Sequence, residues 1–225
     1  MLVTSANAQS ADALYADRQN IASARRAAEI WETESNGNPS AYEPAWKLAR
    51  ACYWLGGHAP ETEQRAWLEK GIASAQKAIR LDTSKPEGHF WAAANMGALG
   101  ENFGLRAGMK YRKPIRQELE TVLRTDPAFM QGSADRALGR YYFKVPSLFG
   151  GSKSRAEQHL RASLEYNQNS TISHYFLAEL LADQRRTAEA RAELQRVIDA
   201  PLSTEWAPED RDYKQKASAL LASLR

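Results

Sequence analysis

The feature that most constrains this chain is a repeat near its end. SKSRAEQHLRASLEYNQ (152–168) and RRTAEARAELQRVIDAP (185–201) carry the same pattern, with Ala156 and Ala190, Leu160 and Leu194, and Ser163 and Val197 each 34 residues apart. Apolar residues recur with a helical period, and glycine and proline fall between these stretches. No two-residue alternation suggests a sheet.

A period near 34 residues is that of the tetratricopeptide repeat, a helix–turn–helix unit. In the last copy, His174, Leu177, Ala178 and Leu181 occupy helix A, and Ala190, Leu194 and Val197 occupy helix B. Earlier copies are longer. VLRTDP (122–127) precedes SLEYNQ (163–168) by 41 residues, and AIRLDT (78–83) precedes VLRTDP by 44. YEPAWKLARACYWLGG (42–57) aligns with PEGHFWAAANMGALGE (86–101) at the same 44, pairing Trp46 with Phe90, Ala49 with Ala93, Tyr53 with Gly97 and Gly56 with Gly100. ADRALGRYYF supplies helix A of a third copy, with Gly139 in the small position.

The expected fold is therefore all-α, a tetratricopeptide-repeat-like right-handed stack of antiparallel helix pairs with N- and C-terminal capping helices. Four units are expected at about 41–83, 86–127, 131–168 and 171–201, preceded by a helix at about 10–36 and closed by a cap helix at about 207–224. They form a single helical-repeat domain over 10–225. Residues 1–9 are set apart: Ala6-Asn7-Ala8 fits the small-residue rule of a signal-peptidase site, but only Leu2-Val3 precedes it as an apolar core. Either a secretory leader has been truncated or this is a plain N-terminus; the truncated leader, and with it a periplasmic location, is the favoured expectation.

The extra length of the first three copies is expected in their A-to-B turns: GGHAPETE (56–63), GENFGLRAGMKYRKP (100–114) and the stretch from Phe143 to Ser154. Only the fourth has the short form, DQRRT. Such turns share one edge of a helical-pair stack, which makes Phe103, Arg106, Tyr111, Leu148 and Phe149 candidates for contact with a partner protein. Alternatively, Leu148 and Phe149 tuck back over helix ends. Lys110, Tyr111, Arg112 and Lys113 bring positive charge to this edge, either for an anion or simply as solvated side chains.

Helix A of each unit lines the inner surface of such a stack. The inward positions read Lys47, Ala51 and Trp54; Trp91, Asn95 and Ala98; Arg136, Arg140 and Phe143; and Tyr175, Glu179 and Ala182. Arg136 and Arg140, one turn apart, suit a carboxylate, and the aromatics suit an apolar ligand body. The candidate groove site is thus Lys47, Trp54, Trp91, Asn95, Arg136, Arg140, Phe143, Tyr175 and Glu179. The competing reading pairs the arginines with Glu179 or other acids of the chain itself.

Catalytic signatures are missing. His58, His89, His159 and His174 form no metal-ligand motif, and no phosphate loop, G-x-G-x-x-G or G-x-S-x-G occurs. We expect no enzyme, no cofactor and no metal. Cys52, the one cysteine, sits in an apolar helical stretch and reads as a buried, inert thiol. A net charge of +3 with no long basic run argues against nucleic acid.

With the repeats in place, the chain resembles the T component of the TRAP-transporter-associated proteins. The likeness rests on PEGHFWAAANMGALGE, YRKPIRQELETVLRTDPAF, GRYYFKVPSLFGGSKSRAEQHLRASLEYN and STISHYFLAELLADQRRTAEARAELQRVIDAP, and covers about residues 12–224. It implies a periplasmic, non-enzymatic helical protein that works with the solute-binding protein of a TRAP-type transporter, holds or passes a small organic acid or amphipathic ligand, and can form a homo-oligomer. Anchored members have a lipidation cysteine that this sequence lacks. The repeat pattern also resembles the eukaryotic regulator-of-microtubule-dynamics proteins, but the alanine-rich units and the A-x-A start favour the bacterial family. A scaffold that binds an extended peptide in the groove is the alternative function.

Overall fold

The computed structural model describes residues 9–224, apart from the side chains of Leu105 and Ala107. Residues 1–8 of the expected leader remnant lie outside that range. The described residues form eleven α-helices and no strand. They are α1 (Ala11–Ala16), α2 (Ile21–Gly37), α3 (Tyr42–His58), α4 (Glu61–Leu81), α5 (Pro86–Asn102), α6 (Leu105–Thr125), α7 (Ser133–Lys144), α8 (Lys153–Tyr166), α9 (Thr171–Asp183), α10 (Thr187–Asp199) and α11 (Ala207–Ser223). Short polar caps start several of them: Ser10, Asn20, Ser152 and Ser170 each accept an N–H from the first turn. The chain divides into two compact units, Met1–Gly108 and Met109–Arg225.

In the first unit each helix packs on its chain neighbour from α1 to α5, and α3 also touches α5. That contact between alternate helices is the mark of stacked pairs. Leu55 and Leu68 are fully buried between α3 and α4, and the Leu68 side chain fills the space that a Cβ on Gly56 would occupy, 2.3 Å from its nearest atom. Asn95 of α5 is also fully buried; its amide donates to the carbonyls of Ala49 on α3 and Trp91 on α5. Cys52 lies in this core, where burial pushes its thiol far above the ordinary range, so the expected inert thiol is what the structure contains.

Three expectations about length and breaks are corrected. The single N-terminal helix is two, α1 and α2, separated by a turn in which Asn20 caps α2 and the Asp17 carboxylate accepts from Ser23 at 2.7 Å. The turn expected over 56–63 is only Ala59-Pro60, because α3 runs through Gly56 and Gly57. The long loop expected over 100–114 shrinks to Phe103-Gly104, and α6 begins nine residues before Pro114, which sits inside the helix. Pro114 costs one backbone bond there, but the start of α6 is held close to α5, where a Cβ on Gly100 would lie 2.9 Å from the Gly108 Cα. Helices of 17 and 21 residues thus absorb what the sequence assigned to loops.

In the second unit α7 to α11 pack in sequence, and α7 touches α9 as α9 touches α11. Gly139 repeats the seat seen at Gly56: Leu160 of α8 lies 2.5 Å from where its Cβ would be. Leu177, Leu181, Leu194 and Val197 fill the α9–α10 interior. The expected wide turn after α7 is present; residues 145–152 connect α7 to α8 through a 3-10 turn at Ser147–Phe149. His174 joins three segments, with Nδ1 2.5 Å from the Glu193 carboxylate and Nε2 2.8 Å from the Gln168 carbonyl. Burial alone would raise the Glu193 carboxyl, but bonds from His174 and Arg196 outweigh it and hold the group below the usual range.

Two outcomes follow from these packings. Replacing Asn95 with alanine removes two buried hydrogen bonds and leaves a hole, and should lower the unfolding free energy by about 2 kcal/mol in urea melts. Glu193 should contribute its stability fully above the ordinary glutamate pKa of about 4.3, and lose it as pH falls through the depressed folded value. The stability of Glu193→Gln should therefore fall less between neutral and acid pH than that of the unmodified chain.

Candidate functional site

The inward positions of the second unit converge on the face made by α7, α9 and α11. Arg140 of α7 forms an ion pair with Glu179 of α9, and Lys144 approaches the same carboxylate at 3.7 Å. The Arg140 guanidinium also lies 4.5 Å from the ring centre of Phe176. Phe176 meets Tyr213 of α11 edge-on at 5.7 Å, and Tyr175 meets the same ring at 5.3 Å. Burial, with the Glu179 charge beside it, raises the Tyr175 hydroxyl above its ordinary pKa. Arg136, Arg140, Phe143, Tyr175, Phe176, Glu179 and Tyr213 are all half-buried. The face thus offers an aromatic wall beside a shared ion cluster.

Phe176 and Tyr213 were missed from sequence. Phe176 lies one residue past the inward phase, and Tyr213 belongs to a helix read only as a cap. Its place in an apolar stripe with Ala217, Leu220 and Leu221 was the available signal. The expectation of two arginine forks open to one ligand carboxylate is altered, since Arg140 already holds Glu179.

In the first unit the expected groove residues Trp54, Trp91 and Asn95 are corrected to buried positions, and Lys47 to an ion-paired, half-buried one. Trp54 is 3% exposed, donates its indole N–H to the Arg18 carbonyl at 2.7 Å, and stacks on His58 at 3.6 Å. Lys47 is held by Asp12 of α1 at 2.8 Å and Glu43 at 2.6 Å. Burial alone would lower its pKa, but these two carboxylates outweigh it and leave the group raised. Trp91 is 3% exposed and packs on Phe90 and Tyr53. The cause is local: α1 and the turn after it bring Asp12, Tyr15 and Arg18 onto α3, and Asn95 is wedged against Gly71 of α4 rather than facing outward.

The proposed edge residues fall in different elements. Phe103 caps α5 under the Arg65 guanidinium, 5.5 Å from its ring, in the first unit. Arg106 and Tyr111 lie on α6 rather than in a loop, with Arg106 exposed and Tyr111 half-buried beside Lys110. Leu148 is 86% exposed and Phe149 37% exposed, so the tuck-back reading fails for Leu148. Among the described residues, no cluster of His, Cys, Asp or Glu could hold a metal ion, and no helix is long and apolar enough to cross a membrane.

Comparison with known proteins bears on this architecture. A thermophilic TPR protein of Thermus thermophilus superposes with a TM-score of 0.69 at 18% identity, over 92% of this chain and 94% of the other. Pseudomonas aeruginosa pilF superposes with a TM-score of 0.54, also at 18% identity, over 95% of this chain and 91% of that one. No curated protein matches the sequence. These likenesses establish the tetratricopeptide-type fold. A family model described as "Regulator of microtubule dynamics protein 1-3" matches residues 8–149, and so takes in α1 to α7 and the turn after it. The likeness ranked second from sequence is thus the one with direct support, and the chain belongs to the regulator of microtubule dynamics protein 1-3 family.

Proposed function

We propose that the chain is a non-enzymatic scaffold that receives an extended segment of a partner protein on the α7, α9 and α11 face. The observation that carries this reading is the Arg140–Glu179 pair. A small organic acid would have to displace Glu179 to reach Arg140, whereas a peptide can lay an apolar side chain on Phe176 and Tyr213 and leave the pair intact. Arg136 and Phe143 extend the same strip along α7.

The resemblance to the T component of TRAP-associated proteins supports a fuller version. In it the chain is periplasmic, its partner is the solute-binding protein of a TRAP-type transporter, and the face takes a small organic acid or amphipathic ligand. Phe103, Arg106, Tyr111, Leu148 and Phe149 would then contact that partner. The loop sequence PSLFGG and the A-x-A start support this version; the occupied arginine weighs against its small-acid ligand.

Peptides selected on the full chain from a random displayed library should bind with micromolar affinity and weaken about tenfold in Tyr213→Ala. Succinate titrated calorimetrically should not bind. If succinate binds, loses affinity in Arg136→Ala/Arg140→Ala, and no peptide is selected, the uptake version replaces the scaffold.

A further inference from the structure

α1 meets α3 through side chains that a separate peptide could supply. The Asp12 carboxylate receives Lys47 at 2.8 Å and stands 3.5 Å from the Arg50 guanidinium. Three residues on, and so on the same side of the helix, Tyr15 packs against Trp31 of α2 with ring centres 5.7 Å apart, and its ring lies 4.3 Å from the Arg50 guanidinium carbon. Trp31 and Trp46 complete an aromatic surround for Arg50, at 5.4 and 5.1 Å. The fit is incomplete. Arg50 Nε is buried and makes no hydrogen bond among the described residues, and Asp12 keeps 58% of its side chain in water. A carboxylate seated squarely on this guanidinium would bond two of its nitrogens side by side.

α1 is also lightly held. Its six residues are too few to keep a helix in water by themselves, and of its side chains Ala11 and Tyr15 are buried and Leu14 half-buried. The turn after it is fixed independently: the Asp17 carboxylate accepts from Ser23 at 2.7 Å, and the Arg18 carbonyl accepts the Trp54 indole N–H at 2.7 Å. Residues 10–16 can therefore lift about that turn while α2 and α3 keep their own packing. Lifting them opens Lys47, Arg50 and Trp31 to a partner.

We propose that α1 is an internal strap over a second peptide site, and that a partner segment with an acidic residue and an aromatic one three positions later displaces it. The incoming carboxylate takes Lys47 and Arg50, and the ring takes the seat of Tyr15 against Trp31. The occupant follows from charge and spacing: α1 shows which chemistry the site holds, and Arg50 Nε shows what α1 leaves unmet. The strap sets a threshold, because apparent affinity for any segment is reduced by the fraction of molecules in which the site is open. This site goes beyond the scaffold reading and shares no residue with the strip around Tyr213.

A labelled peptide of residues 10–20, SADALYADRQN, titrated with the full chain and followed by fluorescence anisotropy, tests it. The unmodified chain should bind it weakly, with a dissociation constant of about 100 μM or higher. Asp12→Ala in the chain loosens the strap and should tighten binding about tenfold. Adding Arg50→Gln to that chain should remove the gain, and so should Asp12→Asn or Tyr15→Ala in the peptide. Hydrogen exchange of the unmodified chain needs no variant: the amides of Leu14, Tyr15 and Ala16 should exchange at least about tenfold faster than the protected amides of α3. No binding to the Asp12→Ala chain at about 1 mM, binding indifferent to Arg50→Gln or to loss of the peptide's acid, or α1 amides as protected as those of α3 overturns the proposal. So does an Asp12→Ala chain that dimerises before peptide is added, since α1 of a second copy would then be the occupant. None of these results bears on peptide binding at Tyr213.

Discussion

A helix pair cannot bury its own apolar stripe, and every other property of this protein depends on how neighbouring helices come close enough to do it. The chain solves this with small residues on one helix and a large side chain from the next. Leu68 enters over Gly56, and Leu160 enters over Gly139. At the α5–α6 crossing the two backbones themselves approach, glycine against glycine. Asn95 is a polar variant of the same seat, lodged over Gly71 and bonded to two helices at once. Each contact also fixes the register of the following pair, which is why alternate helices touch in both units.

That register decides which side chains can face a partner. In the second unit it aligns α7, α9 and α11, bringing residues from 140 to 213 into one strip. In the first unit α1 and its following turn cover the α3 positions Lys47 and Trp54, while Trp91 packs on Phe90 and Tyr53 and Asn95 is lodged against Gly71. The Asp12 carboxylate on Lys47 and the Arg18 carbonyl on Trp54 occupy what a ligand would otherwise use. The candidate binding surface of this chain is therefore concentrated in its later repeats.

The repeat was legible because alanine and leucine recur at fixed intervals, and those residues make the helix–helix seats. The place of the added length was not. Pro114 reads as a helix start, since proline fits the first turn, and the glycines before it read as a loop. Tertiary contact at Gly100 and Gly108 keeps the segment helical despite the lost bond. The ring and charge content of the site was half legible: Arg140, Tyr175 and Glu179 follow from period, while Phe176 and Tyr213 require knowing how α9 meets α11. The burial of Trp54 and the ion pair on Lys47 depend on a six-residue helix and the turn after it, far from them in sequence, and no local pattern announces either.

The central claim is that the first two repeats carry their added length in longer helices, and hydrogen exchange tests it directly. Amides of residues 109–113 should be protected to about the level of those at 115–122, because both belong to one continuous helix. Exchange at the rate of unstructured peptide across 109–113, beside protected amides after Pro114, would contradict the account.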